Sequence, residues 1–148
     1  MRLALLVALF ALFALCGVAC EATPPDARRA QIVAVLAAAD EPLIRARPAL
    51  VAGKYARMAS GAFPFYRGAL PVYRSDVRSG TTLAAVTRFG LDVPLVPSLG
   101  DPHPENFGAL LAGDGTFGIE PNDFDAADRA PYLWDVRRLA AGMALAAA

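Results

Sequence analysis

Residues 100–135 read GDPHPENFGALLAGDGTFGIEPNDFDAADRAPYLWD, and the order of turns and apolar runs in this stretch predicts its fold. Two apolar runs, 107–111 and 116–120, flank the sequence Gly-Asp-Gly at 113–115. An Asp-Gly pair between two such runs is typical of a β-hairpin turn. Residues 91–98, just ahead of the stretch, are apolar and punctuated by proline, which predicts an extended segment. We therefore expect a β-hairpin, in which the residues just before the first strand lie close to those just after the second strand.

Apolar residues recur at helical spacing on both sides of this hairpin. The pattern predicts helices over residues 26–39 and 46–59, and a further helix over residues 131–148 with Asp128 as its candidate N-cap. Residues 63–77 are rich in aromatic side chains but contain two prolines and a glycine, so a loop with a short helix is expected there. We predict an α+β fold in which helices surround a small β-hairpin.

The N-terminal segment has the organisation of an export signal. Arg2 precedes an apolar run, residues 3–15, that is too short to span the roughly 30 Å hydrocarbon core of a bilayer as a helix. Small residues follow at 17–19. A short apolar run that ends in small residues is typical of a secretory signal peptide, which is removed on maturation. We predict that residues 1–19 are a signal peptide and that the mature protein is exported to the cell envelope.

Cys20 directly follows this signal and is similar in position to the acylated cysteine of bacterial lipoproteins. We predict that it is lipidated, which would attach the protein to the membrane through a lipid anchor. Ordinary cleavage would instead leave a free thiol in a periplasmic protein. Residues 20–25 would form a short linker, and residues 26–148 the folded domain.

The charges of the chain balance, but they are unevenly distributed. The 148 residues include 14 basic side chains, 14 acidic side chains and two cysteines, which excludes a polybasic nucleic-acid binder and a disulfide scaffold. Ten basic and four acidic residues lie between Asp26 and Arg88, whereas eight acidic residues and one arginine lie between Asp101 and Asp135. Because these acids alternate with apolar residues, some must approach the core, where a carboxylate needs a partner such as a divalent cation.

Three side chains around the hairpin have a spacing that suits phosphoryl transfer. Asn106 lies five residues after Asp101, and Asp123 lies beyond the hairpin. A loop aspartate can accept the proton of an attacking hydroxyl, whereas amide and carboxylate oxygens are the hard ligands that Mg²⁺ prefers. The alternative is local turn chemistry, in which Asp101 and His103 stabilise a turn and Asp123 belongs to an Asx-turn.

Three motifs of this stretch are similar to the catalytic segment of aminoglycoside phosphotransferases and other kinase-like proteins: GDPHPENFG at 100–108, NDFD at 122–125 and PYLWDVRRLA at 131–140. The chain resembles more closely the family called domain of unknown function 2252, from about Lys54 onward, where KYARMASGAFPFYRG occupies residues 54–68. The resemblance implies a partial protein-kinase-like catalytic lobe, in which the hairpin carries the metal-binding loop.

The resemblance also implies roles for individual residues. Asp101 matches the catalytic base, and His103 has the loop position common in the phosphotransferases, so both are predicted catalytic residues. Asn106 and Asp123 match the metal ligands, with Asp125 beside them at the metal. The implied cofactors are Mg²⁺ and ATP. The implied partners are a nucleotide and an unidentified small-molecule or hydroxyl substrate, with no nucleic acid.

Other polar residues have less specific signals. Asp135, at the start of the following helix, is predicted to support the site, and Arg67 to bind either a phosphate or a carboxylate. Lys54 is the only lysine and has a helical context, so a helix surface is favoured over a nucleotide-binding role. Arg138 is expected to decorate a helix surface or to pair with an acid. Residues 113–118 satisfy G-x-G-x-x-G, but a strand follows them, so a hairpin is favoured over a phosphate-binding loop.

Two hypotheses for function follow from these observations. The first is an exported kinase-like phosphotransferase that uses a magnesium nucleotide, with nucleotidyl transfer as a variant that needs the same metal ligands. The second is a catalytically inactive envelope lipoprotein with a binding or structural role. In the family that the chain resembles, the Gly-rich hairpin and its lysine follow the segment seen here. We therefore expect this sequence to be a truncated N-terminal portion that is incomplete as an enzyme.

Overall fold

The computed structural model of the protein describes residues 24–79 and 94–148. The chain divides into two units, and the boundary between them, after Gln31, lies within the first helix. Within the first unit, the described residues belong to the beginning of that helix and the residue before it. The predicted signal peptide and Cys20 lie outside the described residues.

Helices make up the described chain up to residue 79. They are α1 (Pro25–Ala46), α2 (Pro48–Met58), α3 (Ala62–Gly68) and α4 (Leu70–Ser79). The first two confirm the helices predicted over 26–39 and 46–59, although α1 continues beyond residue 39. Pro48 is well suited to start α2, because the first N–H group of a helix has no partner within it.

The loop predicted within residues 63–77 is wrong, because α3 and α4 cover this segment. Pro64 and Pro71 each lie in the first turn of a helix, where a missing N–H group costs little. The prolines therefore start two helices instead of interrupting one. At Gly68, a Cβ atom would lie 2.5 Å from the side chain of Met58, so α3 packs closely against α2.

Short antiparallel strand pairs form the β part of the described fold. The strands are β1 (Leu95–Ser98), β2 (Phe107–Leu111), β3 (Phe117–Pro121) and β4 (Asp128–Pro131). β2 pairs with β3, and Ala109 lies opposite Ile119. Gly115 in the connecting turn has a φ of 83°, a value that side chains other than glycine rarely adopt. The Asp-Gly signal therefore predicted this hairpin correctly.

The second strand pair leads directly into the last helix. β1 pairs with β4, so that Val96 lies opposite Ala130, and α5 (Tyr132–Ala146) begins after Pro131. The prediction of Asp128 as the N-cap of this helix is wrong. Pairing with β1 keeps Asp128 in an extended strand, where its carboxylate accepts the N–H of Arg129 instead.

A small apolar core joins the helices. Its buried members are Leu36, Met58, Ala69 and Val72, with Ile32, Val35 and Tyr55 packed against them. Helices combined with short antiparallel strands confirm the predicted α+β class. Within the parts of the chain that the structure describes, no helix is both long enough and apolar enough to cross a bilayer.

Candidate functional site

The loop that follows β1 is held by the first turn of α5. Asp135 in that turn accepts the N–H of Leu99 at 2.7 Å and the N–H of Gly100 at 3.1 Å. Gly100 has a φ of 77°, and a Cβ atom at this position would overlap the carbonyl oxygen of Ala126. Glycine is thus required at this turn for two reasons. The two hydrogen bonds to Asp135 therefore fix the direction of the backbone just before Asp101.

Arg138 holds the carboxylate of Asp101. Its Nε and Nη2 atoms each lie 2.5 Å from Oδ1 of Asp101. The side chain of Arg138 is 1% exposed, whereas that of Asp101 is 22% exposed. Among the described residues, Oδ2 of Asp101 has no hydrogen-bond partner, so one carboxylate oxygen is anchored and the other is available. Arg138 therefore pairs with an acid and does not decorate a helix surface, which were the two alternatives left open by the sequence.

Two tyrosines enclose the guanidinium group of Arg138. Its Cζ atom lies 4.4 Å from the ring centre of Tyr66 and 5.4 Å from that of Tyr73, within the range of cation–π attraction. The hydroxyl of Tyr66 is 2.6 Å from the carbonyl oxygen of Arg138 and 3.1 Å from that of Pro102. Burial raises the pKa of Tyr66, and it raises the pKa of Tyr73 to about 12 although Arg138 opposes the shift. Both hydroxyls are therefore protonated at neutral pH.

Asn106 connects the two sides of the hairpin. It ends a short 3₁₀ turn, Pro104–Asn106, and is only 3% exposed. Its Nδ2 atom donates to the carbonyl oxygens of Asp101 at 3.1 Å and Asp123 at 3.3 Å. Its own carbonyl oxygen accepts the N–H of Asn122 at 3.1 Å. Because the donor end of the amide is engaged in this way, Oδ1 is the end that can serve as a ligand.

Asp123 and Asp125 lie in an exposed turn directly after β3. Oδ1 of Asp123 accepts the N–H of Asp125 at 3.1 Å, which is an Asx-turn. The Asx-turn considered as an alternative from the sequence is therefore present. It still leaves Oδ2 of Asp123 without a hydrogen-bond partner among the described residues. The turn thus presents carboxylate oxygens to solvent next to Asn106.

The donor set around Asn106 suits magnesium better than a metal that requires a cage of protein ligands. In residues 24–79 and 94–148, no three His, Cys, Asp or Glu side chains cluster as a metal site would require. A pair of ligands made of one amide oxygen and one carboxylate differs from such a cluster. Mg²⁺ takes one or two carboxylates and completes its shell with water and phosphate oxygens. Asn106 could supply the amide oxygen and Asp123 the carboxylate of such a set.

His103 differs from Asp101 in its surroundings. It is 3% exposed, and its Nδ1 atom is buried without a hydrogen-bond partner among the described residues. Burial lowers the pKa of His103, and the nearby positive charge of Arg67 lowers it further. The imidazole is therefore neutral at physiological pH, and it is buried away from bulk solvent.

A cleft of about 630 Å³ opens between α2, α3 and the loop. Asp101 and Glu105 line it from the loop side, but neither Asn106 nor Asp123 does. The helices contribute apolar side chains and three cationic ones, namely Leu50, Met58 and Phe63 together with Lys54, Arg57 and Arg67. The available oxygen of Asp101 thus belongs to a residue on the wall of a cavity large enough for a small molecule.

The cations of this cleft differ in whether they have partners. The Nζ atom of Lys54 lies 2.8 Å from both carboxylate oxygens of the buried Asp40, so Lys54 is more than a solvated helix-surface residue. Burial raises the pKa of Asp40, but hydrogen bonding by Lys54, a contribution from Tyr55 and the positive charge of Lys54 together outweigh this effect, so the pKa is lowered. Arg67 pairs with Glu105 of the loop, and its predicted role in binding a phosphate or a carboxylate of a ligand stays a prediction. Among the described residues, the side chain of Arg57 has no partner.

Several of these contacts could not be read from the sequence. The pairing of Arg138 with Asp101 and the enclosure of Arg138 by Tyr66 join residues that are far apart in the chain. The position of Arg57 on the cleft wall has no sequence signal beyond its place on an amphipathic helix.

Comparison with known proteins places this site within one family. The family model described as "Uncharacterized protein conserved in bacteria (DUF2252)" matches residues 45–148. No curated protein and no solved structure gives a significant match. The matched segment includes the cleft, the loop of Asp101, the hairpin and α5, which confirms the family resemblance drawn from the sequence motifs. The chain belongs to the DUF2252 family.

Proposed function

We propose that this protein is a kinase-like phosphotransferase that moves a phosphoryl group from a magnesium nucleotide to a hydroxyl group. The observation that carries the proposal is the amide of Asn106, whose hydrogen bonds draw Asp101 and Asp123 together. These are the three residues that match the base and the metal ligands of the kinase-like motifs. The described residues of the second unit would then be part of a kinase-like catalytic lobe.

Asp101 is the proposed general base. Arg138 fixes one of its oxygens, and the residue lies on the cleft wall, where an acceptor hydroxyl can approach the other oxygen. A carboxylate held within hydrogen-bond reach of a hydroxyl can take its proton as the oxygen attacks. His103 belongs to the same loop but is buried, so we assign it to positioning the loop and not to proton transfer.

Asn106 and Asp123 are the proposed ligands of Mg²⁺, with Asp125 adding negative charge beside them. A bound magnesium nucleotide would supply the group that is transferred, since the acceptor oxygen bonds to phosphorus as the bond from phosphorus to the bridging oxygen breaks. Asp135 would keep the loop in place through its hydrogen bonds to Leu99 and Gly100.

Magnesium-dependent nucleotide binding tests this proposal. We expect the protein purified after expression from its native gene to bind ATP measurably by calorimetry only when Mg²⁺ is present, and Asp123→Asn to weaken binding at least about tenfold, since a charged ligand is lost. Asp123 is exposed, so the variant should fold normally. Glu120→Gln removes another exposed carboxylate of the same hairpin region and should leave binding unchanged.

The contrary results are equally definite. ATP binding that is indifferent to Mg²⁺ and to Asp123 would reject the assigned metal ligands. A melting temperature that neither ATP nor Mg²⁺ changes would favour the inactive envelope protein. If transfer occurs, release of ADP indicates phosphoryl transfer and release of pyrophosphate indicates nucleotidyl transfer.

A further inference from the structure

The cleft beside Asp101 is placed to receive the acceptor and not the nucleotide. Its wall includes Asp101 but neither Asn106 nor Asp123, the two proposed metal ligands. A nucleotide must contact the metal, whereas an acceptor hydroxyl must contact the base. The ligand of this cleft is therefore named an acceptor on the basis of the proposed function, although its binding can be measured independently.

The charges around the cleft leave a surplus of one cation. Lys54 is paired with Asp40, and Arg67 is paired with Glu105. Asp101 is paired with Arg138. Each of these pairs is neutral as a unit. Arg57 faces the same cavity and has no side-chain partner in the described part of the chain. A guanidinium group in this position is suited to a planar anion such as a carboxylate, or to a phosphate.

Helix α2 carries Arg57, and its surface at Gly53 leaves room for the apolar part of a ligand. Leu50, Gly53 and Arg57 follow one another at helical spacing and share the face that lines the cleft. No atom lies within 4 Å of the place where a Cβ atom of Gly53 would be, so the helix surface is open here. Apolar walls from Met58 and Phe63 complete the pocket.

We infer that this cleft binds a small organic anion that carries a hydroxyl group and an apolar body, with the anionic group on Arg57 and the hydroxyl toward Asp101. A cationic acceptor is disfavoured, because Asp101 and Glu105 on the cleft wall are each already paired with an arginine, whereas the charge of Arg57 is not neutralised among the described residues. The chemistry that Arg57 recognises is common to carboxylates and phosphate monoesters.

Three probes with the same phenol ring test the charge preference by NMR titration of the purified protein without nucleotide. They are 3-(4-hydroxyphenyl)propionate as the anion, 4-hydroxyphenethyl alcohol as the neutral compound and tyramine as the cation. We expect the anion to bind at least about tenfold more tightly than the other two. Arg57→Ala should remove this preference, and Arg57→Lys should restore part of it. Arg47→Ala removes an arginine just before α2 that does not line the cleft, and it should change nothing.

A second variant tests the position of the ligand. Gly53→Leu would project a side chain into the open space of the cleft, and leucine is a better helix former than glycine, so the fold should be kept. We expect it to abolish binding of the anionic probe. Ala52→Leu adds the same side chain at an exposed neighbour that does not line the cleft, and it should bind the probe normally.

The inference is overturned if none of the probes binds, if the neutral or cationic compound binds as well as the anion, or if Arg57→Ala keeps the preference. These outcomes are independent of the proposed function. Anion binding through Arg57 in a protein that binds no magnesium nucleotide would reject the kinase-like function and leave the anion site intact. Magnesium-nucleotide binding without anion binding would reject the anion site and leave the kinase-like function intact.

Discussion

Arg138 and Asp101 illustrate how a single charge pair can prepare a residue for chemistry. A buried guanidinium is costly unless it is paired and hydrogen-bonded, and Arg138 meets this condition through Asp101 and through two tyrosine rings. The pairing uses one oxygen of Asp101 only. One carboxylate oxygen is therefore held in a fixed orientation while the other stays available, which is the arrangement that the proposed role of Asp101 as a general base requires.

His103 should make the stability of the protein sensitive to mild acid. In the folded state its pKa is lowered by burial, whereas in the unfolded chain it titrates near its ordinary value of 6.5. As the pH falls through about 6.5, protons bind preferentially to the unfolded chain, so the free energy of unfolding decreases. It is the only histidine in the sequence, so the assignment of this effect is direct. Urea unfolding at several pH values between about 5.5 and 7.5 measures it.

The variant His103→Asn provides the control for this pH dependence. It cannot titrate in this range, so its free energy of unfolding should vary much less between the same pH values, whatever its absolute stability. An unchanged slope in the variant would mean that His103 is not responsible, and that carboxylates still titrating at the acid end dominate.

The elements that carry the site differ in how far the sequence could predict them. The β2–β3 hairpin depends on a local turn signal, and the sequence predicted it within one residue at each strand. The β1–β4 pairing joins Val96 to Ala130, and no local pattern encodes a contact over that separation. Asp101, Asn106 and Asp123 lie in short local motifs, so their roles could be proposed from the sequence. The contact between Arg138 and Asp101 joins residues far apart in the chain, so it could not be assigned from any local pattern.

The loop before Asp101 should be far less tolerant of a side chain than the hairpin turn. Gly100 and Gly115 have similar φ values, 77° and 83°. At Gly115 nothing lies within 4 Å of a Cβ atom, so Gly115→Ala should cost only the backbone conformational penalty of about 1–2 kcal/mol. At Gly100 a Cβ atom would also overlap Ala126, so Gly100→Ala should reduce the free energy of unfolding considerably more. Chemical denaturation of the two variants compares them directly.

Comparing the two variants separates the cost of steric overlap, which exists only at Gly100, from the cost of a positive φ, which both positions share. Equal losses for the two substitutions would mean that the loop can move away from Ala126, and that the hydrogen bonds which Leu99 and Gly100 donate to Asp135 do not hold it rigidly. A larger loss at Gly100 would identify the loop as a close-packed part of the fold.

In residues 24–79 and 94–148, apolar side chains are found both in a small helical core and on an exposed hairpin. Met58 is 5% exposed and packs against Leu36 and Val72. Phe117 and Ile119 on β3 are 72% and 76% exposed, respectively, although both are strongly apolar. Hydrophobicity in the sequence therefore does not locate the stabilising contacts, because Phe117 and Ile119 are apolar like the buried Leu36 and Met58 but remain exposed.

Stability should accordingly depend on the helical core and little on the hairpin face. Met58→Ala removes buried side-chain atoms at the α2–α3 contact and should lower the free energy of unfolding by about 2–4 kcal/mol. The double variant Phe117→Ser and Ile119→Thr loses mainly cross-strand contacts with Leu111 and Ala109, which are worth about 1 kcal/mol or less each. Urea unfolding of both variants tests this difference. A loss in the hairpin variant equal to that of Met58→Ala would mean that this face is covered in the folded protein in solution, because exposed side chains cannot lose burial that they do not have.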